Sequence, residues 1–423
     1  MRRRRSPYIC AAALVLGRLW AWSAAGNAAA EAAEVKHVYV GAVASREAWI
    51  AWGTTGGSGN TIGRDSKPLG AAVVEIGGKR HESKLNWMRV QELEPDKQYP
   101  FKVLVKGQEF GSGSMRTLPE RATKLRFFVI GDYGTGSQAQ YKIAEAMEKE
   151  FARFANTDNP VRFIITTGDN IYGTQFGLFT RDSGDRDRHW ETKFYQPYAE
   201  LLKRIPFYPT LGNHDGNESE NRGDLAVYLD NFFFPTGKPE RWYSFSYANL
   251  AQFFAMDTSS GALKGARERM WNDKGDQKKW LQAEMAKPAP PWRIAYWHHP
   301  PFTAGPRHEA SLSWMKDAVE MLANGGVDVV FNGHEHNLQI VKKHEETRGV
   351  QYIVSGSGGE LRDEVIELRL EAANVVGTSP QHQFLSVEID GDTMRIQPMG
   401  YEPIQVHDAH GKTVEMPWVV KRR

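Results

Sequence analysis

A chain of 423 residues with 41% hydrophobic and 25% charged side chains has room for two or three domains, which excludes a disordered or disulfide-stapled small protein. A formal net charge of +2, with no Lys/Arg cluster beyond the first residues, argues against a nucleic-acid partner. Cys10 is the only cysteine, so a metal site would draw on His, Asp, Glu, Asn, Tyr or backbone groups.

Residues 1–30 stand apart. Arg2, Arg3, Arg4 and Arg5 form a basic head, residues 8–22 are mostly apolar despite Arg18, and Ala28, Ala29 and Ala30 offer a small-residue cleavage site. The pattern reads as a secretory signal peptide. The alternative is an uncleaved anchor, but the apolar stretch is short for a bilayer. Ser6-Pro7 continues a twin-arginine signal poorly. Cleavage removes five of the 53 Lys+Arg and no acid, leaving 48 basic against 51 acidic residues, a charge of −3. The product is expected to be secreted or periplasmic, with no membrane association after cleavage.

From 35 to about 117, short alternating runs broken by Gly, Ser and Pro predict an antiparallel sandwich. Leu93, Pro95 and Tyr99 precede FKVLVKG, an arrangement that resembles the corner before a late strand of fibronectin type III domains. This region has no His or carboxylate cluster and reads as a structural or docking module. Residues 118–121 are a linker.

Beyond the linker the texture becomes αβ. Strands are expected at 125–130, 163–167, 206–211, 293–296 and 327–331, and helices at 138–154, 190–204, 277–286 and 311–322. A hairpin is expected at 242–247 and 252–256. LQIVKK, VQYIVSG, FLSVEID and TMRIQPM are further strand-like runs. Five strands end alike, in a tight turn followed by a metal-ligand residue type: Asp132; Asp169 with Tyr172; Asn213 with His214; His298; and His334 with His336. Each alone has a bland reading, a satisfied turn Asp, a buried Tyr or a core His. Together they suit two cations a few ångströms apart, sharing one anionic bridge and clamping a phosphate ester. In strict strand alternation His334 and His336 would point oppositely; in a turn both can face the ions.

The motifs GDYG, GDNIY, GNHD, HHP and GHEH resemble the metallophosphoesterase superfamily. Tyr172 narrows the resemblance to the purple acid phosphatases, over about 125–401. GHEHNLQ and YIVSGSGG are similar to the mammalian tartrate-resistant type, whereas the N-terminal sandwich is similar to the larger plant type. The resemblance implies a four-layer α-β-β-α sandwich of two mixed sheets, preceded by an all-β fibronectin type III-like sandwich. The implied domains are 35–118, 124–405 and a tail at 406–423. It also implies an acid phosphatase acting on small-molecule phosphate monoesters, with metal-activated hydroxide as nucleophile. Fe(III) would take Asp132, Tyr172, His336 and the bridge Asp169. A divalent Fe, Zn or Mn would take Asp169, Asn213, His298 and His334. His214 and His308 would face the substrate as catalytic residues. His299 departs from the family pattern and is expected behind the ligands or incidental; Trp297 is expected to pack.

Two other readings stay open: a phosphodiesterase or nucleotide pyrophosphatase, and an exported binding protein that has lost activity. Loops at 174–188, 216–225 and 259–276 carry Arg181, Arg186, Arg188, Arg222, Arg267 and Arg269, any of which could hold a second phosphate or simply be solvated. Asn217-Glu218-Ser219 is an N-glycosylation sequon.

Overall fold

Period-two alternation organises the first third of the chain. The computed structural model describes residues 34–55, 62–173, 175–176, 179–180, 190–216, 226–259, 275–305, 308–362 and 367–423. The signal-like segment, the sequon and the six loop arginines lie outside the described residues. Strands β1 (Val35–Val43), β2 (Ala48–Thr55) and β5 (Trp87–Val90) form one antiparallel sheet, in the order β1-β2-β5. β3 (Ala72–Ile76), β4 (Lys79–Ser83), β6 (Gln98–Val105) and β7 (Gln108–Arg116) form the second, in the order β4-β3-β6-β7. Val74, Ile76, Phe101 and Val103 are buried between them while their neighbours face out. β4 is polar throughout and carries no alternation, so its sequence does not announce it. At the corner before β6, the Glu94 N–H donates to the Tyr99 hydroxyl at 2.8 Å, the tyrosine corner of such sandwiches.

Two mixed sheets follow, beside a two-stranded ribbon of β10 (Gln175–Phe176) and β11 (Phe179–Thr180). The six-stranded sheet runs β12 (Phe207–Tyr208), β9 (Val161–Thr166), β8 (Lys124–Ile130), β20 (Phe384–Asp390), β21 (Thr393–Met399), β22 (Trp418–Lys421). The seven-stranded sheet runs β13 (Tyr243–Tyr247), β14 (Ala251–Ala255), β15 (Trp292–Tyr296), β16 (Val329–Asn332), β18 (Gln351–Ser355), β17 (Leu338–Val341), β19 (Val375–Ser379). Alternation assigns the layers. Phe253, Ile294, Phe331 and Ile353 enter the core between the sheets, whereas Phe254, Ala295, Val330 and Tyr352 join the cluster on the opposite face. Phe127 ties the sheets together, 5.3 Å from the Phe253 ring and 6.2 Å from that of Phe331. Helix Leu312–Asn324 covers the outer face of the second sheet with Met315, Val319 and Leu322. Helix Gln138–Phe154 buries Ile143, Ala144, Met147 and Phe151, a 3.6-residue stripe, and the Ser137 hydroxyl caps it by accepting from Gln140 N. The result is the α-β-β-α order implied by the motifs.

Some elements differ from expectation. Residues 190–204 form a π turn, Glu191–Tyr195, and a short helix, Ala199–Leu202, rather than one helix; Pro197 lacks the N–H needed to continue it. Residues 206–211 pair only over β12. Residues 406–423 are not loose: β22 pairs with β21, and Arg423 N donates to Asp328 at 2.9 Å. Among the described residues no helix is long and apolar enough to cross a membrane.

The sandwich docks on β12. The Val43 N–H donates to the Tyr208 hydroxyl at 3.1 Å, and that hydroxyl lies 3.1 Å from the Val43 carbonyl. Ser114 N donates to Lys203 O at 3.0 Å, and Tyr39 meets Phe233 edge-on at 5.6 Å.

His37 makes this region pH-sensitive. Its Nε2 lies 2.8 Å from Thr55 Oγ1, and burial, aided by the Lys203 charge, lowers its pKa from 6.5 to about 4. The folded pKa lies below the unfolded value. The stabilisation is therefore complete above 6.5 and lost as pH falls from 6.5 to about 4. Denaturation midpoints across that window should fall less steeply for His37→Gln than for the parent; equal slopes would remove His37 from the account.

Candidate dinuclear metal centre

Five turns at the carboxyl ends of β8, β9, β12, β15 and β16 converge, the place where open sheets present ligands. They carry eight of the nine candidate residues, and His308 follows in the segment after the β15 turn. Of the nine described non-glycine residues with positive φ, three are here: Asp132 (55°), Asp169 (49°) and His334 (71°). L-residues adopt this conformation at a cost. It turns each side chain inward, and at His334 it breaks strand alternation so that His336 shares the same side.

One group of donors comprises Asp132, Tyr172 and His336. The Tyr172 hydroxyl lies 3.1 Å from both Asp132 Oδ1 and His336 Nε2, and these two are 3.4 Å apart. A second group surrounds His298. Its Nε2 lies 2.8 Å from Asn213 Oδ1, 3.0 Å from His334 Nδ1 and 3.3 Å from Asp169 Oδ2. Asp169 stands between the groups, with an oxygen within 4.8 Å of the donors of Asp132 and His336. His214 donates its backbone N–H to Asp169 Oδ1 at 2.8 Å, and its ring packs 4.5 Å from Tyr172. The His308 ring lies 3.8 Å from that of His334.

The donors fit cations. His298 Nδ1 lies 2.9 Å from the Thr167 carbonyl and donates to it, so the neutral ring turns a lone pair toward the oxygens of Asn213 and Asp169. Without a positive charge that arrangement repels itself. Burial lowers the pKa of His298, yet the carboxylates of Asp169 and Asp132 raise it to about 9, a measure of the demand for positive charge. Neighbouring donors on an ion with bonds of about 2.1 Å sit about 3 Å apart, the spacing found here. Burial, then the charges of Asp132 and Asp169, push the Tyr172 phenol well above its ordinary value; a bound cation would reverse this. Burial, the Arg362 guanidinium and neighbouring imidazoles hold His308 down at about 4.

His299 packs 4.4 Å from the His334 ring, and its Nδ1 lies 3.0 Å from Thr258 Oγ1. It clusters with His298 and His334 while tied to Thr258 from behind. Trp297 is fully buried and donates to the His299 carbonyl at 2.8 Å, in keeping with packing.

One residue escaped the sequence reading although its motif was in view. Asp215 accepts from Asn170 N and Nδ2, Ile171 N and Gly212 N at 2.8–3.1 Å, binding the turn of Asp169 to that of Asn213. Its place in GNHD, two residues after Asn213, was the available signal.

The profile of the calcineurin-like phosphoesterase family matches residues 125–338. Tartrate-resistant acid phosphatase type 5 of Mus musculus is 28% identical over 248 residues, 55% of this chain and 72% of that protein. Purple acid phosphatase 7 of Arabidopsis thaliana is 28% identical over 253 residues, 56% of this chain and 70% of that protein. Among solved structures, purple acid phosphatase PPD1 of yellow lupin (Lupinus luteus) superposes with a TM-score of 0.65 at 14% identity, covering 92% of this chain and 75% of that one.

Two substitutions probe the scaffold. A Cβ on Gly212 would clash with both the carboxylate and the backbone N of Asp169, so Gly212→Ala should displace the Asp169 turn, lowering the thermal midpoint and weakening metal uptake about 10–100-fold, as read by thermal denaturation beside metal quantification. Asp215→Ala leaves buried donors unpaired and should cost about 3 kcal/mol or more in denaturant unfolding. A loss below about 1 kcal/mol would mean that Asp215 does not hold the turns together.

Proposed function

This chain belongs to the calcineurin-like phosphoesterase family, and we propose that it is a purple acid phosphatase hydrolysing small phosphate monoesters. The observation that carries this reading is the Tyr172 hydroxyl, 3.1 Å from the donors of both Asp132 and His336. A phenolate ligand suits a hard trivalent ion. We assign Asp132, Tyr172, His336 and the bridge Asp169 to Fe(III), and Asp169, Asn213, His298 and His334 to a divalent Fe, Zn or Mn. When bound, the ions polarise the phosphoryl oxygens and acidify water.

The protein's own groups complete the chemistry. The backbone of His214 donates to one oxygen of Asp169 and its ring packs on Tyr172; we assign to that ring the stabilisation of charge on the equatorial oxygens. We assign to His308, whose ring lies against His334, the transfer of a proton to the leaving alkoxide, which departs as the alcohol. An imidazole held near 4 carries that proton only in acid, which supports an acid optimum. Export rests on residues 1–30. The strand orders β1-β2-β5 and β4-β3-β6-β7 and the Tyr99 corner support a fibronectin type III-like module at 35–118.

Asp169→Asn should lose bound metal and lower aryl phosphatase activity about 100-fold or more; near-normal metal content and rate would end the dinuclear scheme. Iron-loaded protein should absorb in the visible, and Tyr172→Phe should bleach it. A phosphodiester assayed beside the monoester separates the diesterase outcome.

A further inference from the structure

The turn that presents His334 and His336, residues 333–337 between β16 and β17, and the first residues of β17 carry a second set of buried polar side chains. Glu335 is fully buried, and Asn337 and Gln339 are nearly so. Each engages the segment leading to His308 or its neighbour. Glu335 Oε2 accepts the His308 N–H at 3.3 Å. Gln339 Oε1 accepts from Ala304 N at 2.8 Å and from Thr303 Oγ1 at 3.1 Å, while its Nε2 donates to Asn337 Oδ1 at 2.9 Å. Glu335 Oε1 lies 3.6 Å from Arg362 Nη1, and the Arg362 N–H donates to the His336 carbonyl at 2.9 Å. A Cβ on Gly305 would fall 2.0 Å from the Glu335 carboxylate, so the segment lies directly against it.

We propose that Glu335 and Gln339 are positioning residues for proton delivery: they clamp Thr303–Gly305 and the His308 backbone so that the His308 ring stays against the centre. This rests on the reading of His308 as the group that protonates the leaving alkoxide. A buried carboxylate that meets one backbone N–H and a guanidinium 3.6 Å away is a costly way to fill a core, and two residues of one stretch converging on one segment hold it against the candidate centre. The histidines and the clamp thus occupy alternate positions of a single stretch, 334–339.

The test separates leaving groups. Glu335→Ala and Gln339→Leu should lower kcat/KM about tenfold or more for an alkyl phosphate such as glycerol 2-phosphate, whose alkoxide needs a proton. They should leave 2,4-dinitrophenyl phosphate, whose leaving group does not, within about twofold. Metal content should be unchanged, and hydrogen exchange at the Ala304 and His308 amides should quicken. Combined with His308→Ala, neither should add a further loss. Equal losses on both substrates, unchanged rates on both, loss of metal in both variants, or additivity with His308→Ala would each overturn the clamp. Should Glu335→Ala fail to fold, Gln339→Leu decides alone. If His308→Ala itself loses equally on both substrates, the proton-donor reading fails first; if it discriminates and the clamp variants do not, only the clamp fails.

Discussion

Two carboxylates, Asp132 and Asp169, are buried to 0% and 1% exposure with their charges turned toward each other's surroundings. Burying an uncompensated carboxylate costs several kcal/mol even after relaxation. The ion pairs within the described residues that offset this are with His336 and His298, and those exist only while the imidazoles hold protons. The rest of the site follows from this constraint. The cluster can be filled by protons or by metal, and its donors are spaced for metal.

Holding such a cluster together requires a scaffold that does not relax. The left-handed turns at Asp132, Asp169 and His334 store strain that a softer framework would release. They are held by parallel strands on both sides of an aromatic core, where Phe127, Phe163 and Phe253 interlock, and by Asp215, which joins two turns through four N–H groups. The N-terminal sandwich belongs to that framework. Its Val43 holds Tyr208 in β12, five residues before Asn213, and Arg162 in β9 pairs with Asp96 at 2.9 Å. Both strands that receive these contacts lead into the centre.

The site was legible because its chemistry is confined to few residue types at strand ends. Asp132, Asp169, Tyr172, Asn213, His298, His334 and His336 stand out wherever an apolar run stops, and the structure brings their side chains together. The layers were legible from the motifs, not from periodicity. What stayed hidden had no local signature. β4 is polar on both faces, β19 is a short edge strand around Gly377, and β22 is specified by a partner strand some twenty residues earlier. Asp215, Glu335 and Gln339 look like ordinary turn or strand polar residues until the packing shows what they hold. The expected helix at 190–204 failed for a local reason: Pro197, between Glu191–Tyr195 and Ala199–Leu202, lacks the N–H that a continuous helix needs.

The two donor groups are unequal in charge, and that inequality is the argument behind the proposed assignment of the ions. Asp132 and a deprotonated Tyr172 would place two negative charges in one group, beside His336. In the proposed assignment the other group would offer Asn213, His298 and His334 as uncharged donors, with Asp169 shared. A higher-charged ion is favoured in the first and a divalent one in the second, since each added unit of cation charge gains only where anionic donors face it. The same inequality explains why the phenol is where it is. Burial and two carboxylates oppose its ionisation, so only a strongly polarising ion can claim it. A tyrosine placed among the imidazoles of the second group would have no such ion to ionise it.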